Sequence, residues 1–144
     1  MIREARESLL YQYRFTAHQA YHDYADVFLK TLRDLARVGC SDLHGKRILD
    51  LGCGPRFAFA LQCAAQGAQV TALDFDYVQP DPLPLAFVKI WQHNGLKRAL
   101  KSILRRLIFD GRYYKVLERA AQQALRSYVP VIHFVIADPK ASRY

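Results

Sequence analysis

With 144 residues, 51% of them hydrophobic, the chain amounts to one domain with enough apolar side chains for a core. No apolar run approaches a membrane span, and the N-terminus, with Arg3, Glu4, Arg6 and Glu7, lacks a signal-peptide pattern, so the expected location is cytoplasmic. The formal net charge is +8, and Cys40, Cys53 and Cys63 make neither a metal-ligand spacing nor an even disulfide set, which suits a reducing compartment.

Residues 1–38 read as an N-terminal helical segment. Leu10, Tyr13, Ala17, Tyr21, Tyr24, Phe28, Leu32 and Leu35 recur at steps of three and four as one apolar stripe. His18 and His22, with Asp26 beyond, stand at helical ligand spacing, but no cysteine or glutamate completes a zinc set and no metal is expected. Gly39, Ser41, Asp42 and Gly45 mark a linker.

Ile48 to Leu51 is a short apolar run suited to a buried parallel strand, and Gly52 and Gly54 permit a sharp turn with close approach to a ligand. Arg56 to Gln66 reads as a helix stopped by Gly67, and Gln69 to Leu73 as a second strand closed by Asp74. Together they compose one βαβ unit of a doubly wound sheet, whose ligands sit beyond the carboxyl ends of the strands. Cys53, inside the turn, would be reactive if the helix N-terminus lowered its pKa; it reads first as a small residue that fits there.

The residues separate two chemistries that use this geometry. A dinucleotide site wants Gly-x-Gly-x-x-Gly, and Phe57 holds the third position. Asp50, just before the first glycine, would repel a pyrophosphate and attract a cationic ligand. S-adenosylmethionine carries a sulfonium and an ammonium group and fits better. Asp74 is placed to accept hydrogen bonds from ribose hydroxyls.

Residues 77–128 form a helical insertion before the next strand. Pro80, Pro82 and Pro84 make an irregular loop. Three helical pieces come after it: Leu85 to Asn94 stopped by Gly95, Leu96 to Phe109 stopped by Asp110 and Gly111, and Arg112 to Arg126. Leu96, Leu100, Ile103, Leu104 and Leu107 are expected to be the core face of the middle piece. From Lys89 to Arg126 ten Lys or Arg stand against Asp110 and Glu118, so this segment carries the whole net charge and can attract an anionic partner. Tyr113 and Tyr114 could stack on bases, but no RNA-binding motif accompanies them, and nucleic acid is disfavoured. Val131 to Ala137, ending in Asp138, reads as the third strand, with His133 a packed or edge histidine.

Residues 47–76, and more loosely 131–138, resemble the class I S-adenosylmethionine-dependent methyltransferases, whose first motif is an acidic residue followed by Gly-x-Gly-x-Gly. The resemblance implies S-adenosyl-L-methionine as cofactor, with Asp50, Gly52, Cys53 and Gly54 at its methionine end. Asp74 would bind the ribose, Phe75 would lie against the adenine and Asp138 would accept from the adenine amino group. The family's third glycine falls on Arg56. Helices preceding the first strand often close over the cofactor in this family, which makes Tyr13, His18, Tyr21 and His22 candidates for a lid or substrate wall.

The family's sheet runs 3-2-1-4-5-7-6, and only strands 1 to 3 are legible. The expected fold is therefore α/β, a Rossmann-like methyltransferase fold truncated after the third parallel strand, with an exposed strand edge through which two copies could dimerise. The expected function is methyl transfer to a small-molecule or anionic acceptor, and no catalytic residue is nameable. Two alternatives stand: a non-enzymatic basic helical module with a vestigial nucleotide pocket, and a nicotinamide-dependent oxidoreductase fragment, which Asp50 and Phe57 disfavour.

Overall fold

The computed structural model describes residues 2–137, and the side chains of residues 7 and 10–137. Helix α1 (Ile2–His22) runs through a π-helical turn (Asp23–Phe28) into α2 (Leu29–Arg37). The N-terminal segment is thus helical, but its apolar stripe is not continuous. On α1 the buried residues are Thr16 and Ala20, whereas Leu10, Tyr13 and Tyr21 are exposed. At the end of the π turn Phe28 is buried, and Tyr24, Leu32 and Leu35 pack against the core to which it belongs. Thr16 and Ala20 lead on to Tyr24 and Phe28 in steps of four, so the face of α1 that meets the core is its small-residue side, next to the tyrosine stripe. The Thr16 hydroxyl is satisfied locally, donating to the Gln12 carbonyl at 2.8 Å.

The chain then builds β1 (Arg47–Leu51), α3 (Ala58–Ala65) and β2 (Gln69–Asp74), with Gly67 (φ +80°) ending the helix as expected. Strand β3 (His133–Ile136) pairs with the far side of β2. All pairing is parallel in the order β1-β2-β3, with Ile48 opposite Val70 and Ala72 opposite Phe134. The protein is α/β with a three-stranded parallel sheet.

Two successive crossovers of one hand, stepping in one direction, leave their helices on one face of a sheet. On the covered face Val70 and Ala72 are buried in a core with Ala60, Leu61, Cys63 and Phe28. On the other face Leu49 and Leu51 are exposed, and a shallow trough runs past Leu49, Thr71, Val131 and His133. Among the described residues β1 pairs only with β2, so its outer edge is open.

The insertion comprises α4 (Leu83–Asn94), α5 (Leu96–Arg105), a second π turn (Arg106–Asp110) and α6 (Gly111–Ala121), followed by a 3-10 segment (Leu125–Val131). It belongs to the core: Tyr113 and Leu117 of α6 are fully buried with Ala20, Phe28 and Leu61. Helices α4 and α5 enclose a smaller cluster of Tyr77, Ala86, Ile90 and Ala99. Two expectations fail here. Asp110 and Gly111 do not stop the helix, because Gly111 is helical (φ −57°, ψ −45°) and Asp110 is buried between two arginines. The leucines of α5 are not its core face either: Leu96, Leu100, Leu104 and Leu107 are exposed, and fully buried Ala99 with half-buried Ile103 faces inward. Small Ala86 and Ala99 are the residues that let α4 and α5 approach closely. Among the described residues no helix is long and apolar enough to cross a membrane.

Candidate cofactor site

The turn after β1 hangs from the end of β2. The N–H groups of Gly52 and Cys53 both donate to the Leu73 carbonyl, at 2.8 and 3.2 Å. The Gly54 N–H donates to Asp74 Oδ2 at 2.8 Å, and Asp74 Oδ1 accepts from the Asp76 N–H at 2.9 Å. Asp74 thereby joins the glycine turn to the loop after β2, and each carboxylate oxygen keeps lone-pair capacity for a ligand hydroxyl. Phe75, next to it, is exposed, its ring free to cover a flat ligand.

Gly52 (φ +70°) and Gly54 (φ +68°) occupy left-handed conformations, and a Cβ added at either meets no atom within 4 Å. These glycines are required by backbone conformation, and the space beside them is open. Replacing either with alanine costs about 1–2 kcal/mol of backbone strain, read as a lower urea midpoint with unchanged slope. A third left-handed residue is Phe57 (φ +37°, ψ +41°), at the start of α3. Its buried ring packs edge-on to Phe134 at 4.9 Å, and that burial offsets the strain of a conformation that ordinarily favours glycine.

Asp50 lies on the covered face at the end of β1. Phe57 gives α3 no side-chain cap, and Asp50 stands against the first turn of that helix, where the Ala60 N–H favours its charged form. Its Oδ2 is buried and has no hydrogen-bond partner. Burial, opposed by the Ala60 N–H and reinforced by the charge of Asp74, raises the Asp50 pKa above the ordinary carboxylate value. The same surroundings govern Cys53: burial, with the charges of Asp50 and Asp74, pushes its thiol up to about 12. Burial and two carboxylates thus outweigh the helix N-terminus and disfavour the Cys53 thiolate.

A roof of charged and aromatic residues, whose meeting at this place the sequence did not announce, covers the turn. Arg56 donates from Nε to Asp110 Oδ1 at 2.8 Å and from Nη1 to Gln19 Oε1 of α1 at 3.0 Å, with its guanidinium 4.2 Å from the Tyr113 ring centre. Arg105 donates to Asp110 Oδ2 at 3.1 Å and reaches the Pro55 carbonyl at 3.5 Å. The Tyr114 hydroxyl donates to the Arg56 carbonyl at 3.0 Å. Tyr113, hydrogen-bonded to Asp23 in the first π turn, completes the link to the N-terminal segment. Arg56 at the position where a third glycine was sought is the only signal of this roof in the sequence. Arg106 fixes the proline loop, donating to the Gln79 and Asp81 carbonyls at 3.0 Å each.

The structure thus brings Asp50, Gly52, Cys53, Gly54, Asp74 and Phe75 together at the carboxyl ends of β1 and β2. Asp138 lies outside the described residues. The lid candidates do not converge on the turn: Tyr13 packs under the Arg112 guanidinium at 4.3 Å, Tyr21 is exposed, and His18 stacks on Phe15. His22 pairs with Asp26 at 2.8 Å, and no group of three potential metal ligands occurs among the described residues. Comparison with family models, with curated proteins and with solved structures finds no match to the chain.

Proposed function

We propose that the chain is the cofactor-binding part of a class I S-adenosylmethionine-dependent methyltransferase with a Rossmann-like layout. The observation that carries this reading is the destination of the N–H groups around the glycine turn. A dinucleotide site needs them for pyrophosphate. Here the Gly54 N–H is given to Asp74, and Asp50 faces the first turn of α3 at Ala60. Two carboxylates so close together make the carboxyl end of β1 a negative site, which disfavours pyrophosphate and favours a cation.

Asp50 would hold the positive methionine end by charge, Gly52 and Gly54 would leave room for the backbone to approach, and Asp74 would accept from the ribose. Phe75 would cover the adenine. The cofactor, when bound, supplies a methyl group already activated on sulfur. The chain's contribution is then alignment and exclusion of water around that group. The basic insertion, whose Arg105 roofs the turn beside Arg56, favours an anionic acceptor.

Calorimetric titration of the folded chain with S-adenosylmethionine, S-adenosylhomocysteine and NAD tests the reading. Saturable binding of the two adenosyl ligands without NAD supports it. NAD binding alone would replace it with the oxidoreductase reading, and silence from a folded chain would leave the basic module.

A further inference from the structure

Helix α5 packs on α4 through Ala99 and turns its large apolar residues outward. Leu96, Leu100 and Leu104, at steps of four, are 49%, 51% and 55% exposed, and the π turn continues the run with Leu107 (64%) and Ile108 (44%). A lone exposed leucine is ordinary; five large aliphatic residues exposed along one helical stretch are not. Lys97 and Lys101 follow the leucines by one position each, both exposed and neither paired with an acid among the described residues. The only acid from Leu96 to Asp110 is Asp110 itself, which is buried by arginines. The lysine side of the stripe is therefore cationic, while Arg98 elsewhere on the helix is neutralised by Asp76.

We propose that α5 and the π turn after it form a docking surface for an anionic lipid bilayer, with the leucines among the acyl chains and Lys97 and Lys101 at the lipid phosphates. An amphipathic helix with lysines beside an aliphatic face lies in the plane of a bilayer interface, and lysine stems reach up to the headgroups. The helix is presented rigidly, because Arg105 and Arg106 anchor its far end to Asp110, the glycine turn and the proline loop. Single-stranded RNA would call for stacking rings, and the stripe is aliphatic. A second copy meeting stripe to stripe would bring two cationic rims together. The inference is independent of what the glycine turn binds.

The test is co-flotation of the full chain with vesicles of phosphatidylcholine alone and with about one-third phosphatidylglycerol, at rising salt. The expected result is flotation with the anionic vesicles only, weakening as salt screens the lysines. Leu100→Ser with Leu104→Ser should lower partitioning at least about tenfold, since each leucine loses its apolar burial. Both residues are exposed, so the circular dichroism spectrum and the thermal midpoint should stay in place. Lys97→Glu with Lys101→Glu should cost about fivefold or more per residue. A folded wild-type chain that ignores anionic vesicles, or a double leucine variant that floats as well as wild type, overturns the proposal. So does binding of single-stranded RNA in place of vesicles, or a dimer that the leucine substitutions dissolve.

Discussion

Replacing Asp110 with alanine is expected to destabilise the chain by about 3–5 kcal/mol, the cost of leaving a buried charge unpaired. Asp110 accepts from Arg56 at 2.8 Å and Arg105 at 3.1 Å, and the carboxylate and the two guanidinium side chains are only 11%, 14% and 19% exposed. Without the carboxylate two like charges face each other out of water, and the π turn loses the partner that keeps it helical through Gly111. Against a total stability of about 5–15 kcal/mol for a domain, that loss is large. Urea denaturation measures it, with Asp34→Ala as comparison. The Asp34–Arg37 pair is 52% and 79% exposed, and its removal should cost under about 1 kcal/mol. Equal effects from the two substitutions would remove the Asp110 cluster from the account.

Asp50→Asn is expected to stabilise the ligand-free chain while weakening its hold on S-adenosylmethionine about ten- to a hundredfold, the worth of a hydrogen bond or contact to a charged group. Asparagine keeps a carbonyl facing the first turn of α3 and removes the buried charge whose Oδ2 has no partner and which Asp74 repels. The sign in pH comes from the raised pKa of Asp50. Its contribution to stability is fully present below the unfolded-state value of about 3.8 and is lost as pH rises through the folded-state value. The advantage of the asparagine variant should therefore grow as pH rises from about 4 and level off once Asp50 is ionised. A variant less stable than wild type at neutral pH would mean that the ionised carboxylate is needed as the cap of α3.

The opposite signs expected for stability and binding have one origin. Asp50 is poorly solvated and poorly paired in the free chain, which is a fault in a scaffold and an asset in a site for a cation. Asp74 differs, since its two oxygens already hold the Gly54 and Asp76 N–H groups and its loss would loosen the turn as well as the ligand.

The βαβ unit was legible because local signals agreed there: an apolar run at Ile48 to Leu51, glycines that require positive φ at 52, 54 and 67, and a second run ending at Asp74. Where the sequence misled, tertiary packing had chosen between two plausible faces. On α5 the leucine stripe is the more hydrophobic side, yet close approach to Ala86 of α4 selects Ala99. On α1 the stripe of Leu10, Tyr13 and Tyr21 is likewise the more hydrophobic side, yet Thr16 and Ala20 face the core. Asp110 with Gly111 carries the composition of a helix stop, yet Asp110 is held by Arg105 and the distant Arg56 and the helix runs on through Gly111. The roof over the glycine turn was invisible for the same reason, because Gln19, Arg56, Arg105, Asp110 and Tyr114 meet only once the insertion folds back.

The central claim, that the glycine turn and the end of β2 bind an adenosyl cofactor with its cationic end near Asp50, is tested most directly by amide NMR of the chain titrated with S-adenosylmethionine. The account predicts saturable shifts concentrated at Gly52, Cys53, Gly54, Phe75 and Asp76, with the amides of α5 unmoved. A well-dispersed spectrum in which those residues stay in place at saturating cofactor, or in which the shifts fall elsewhere, would contradict it.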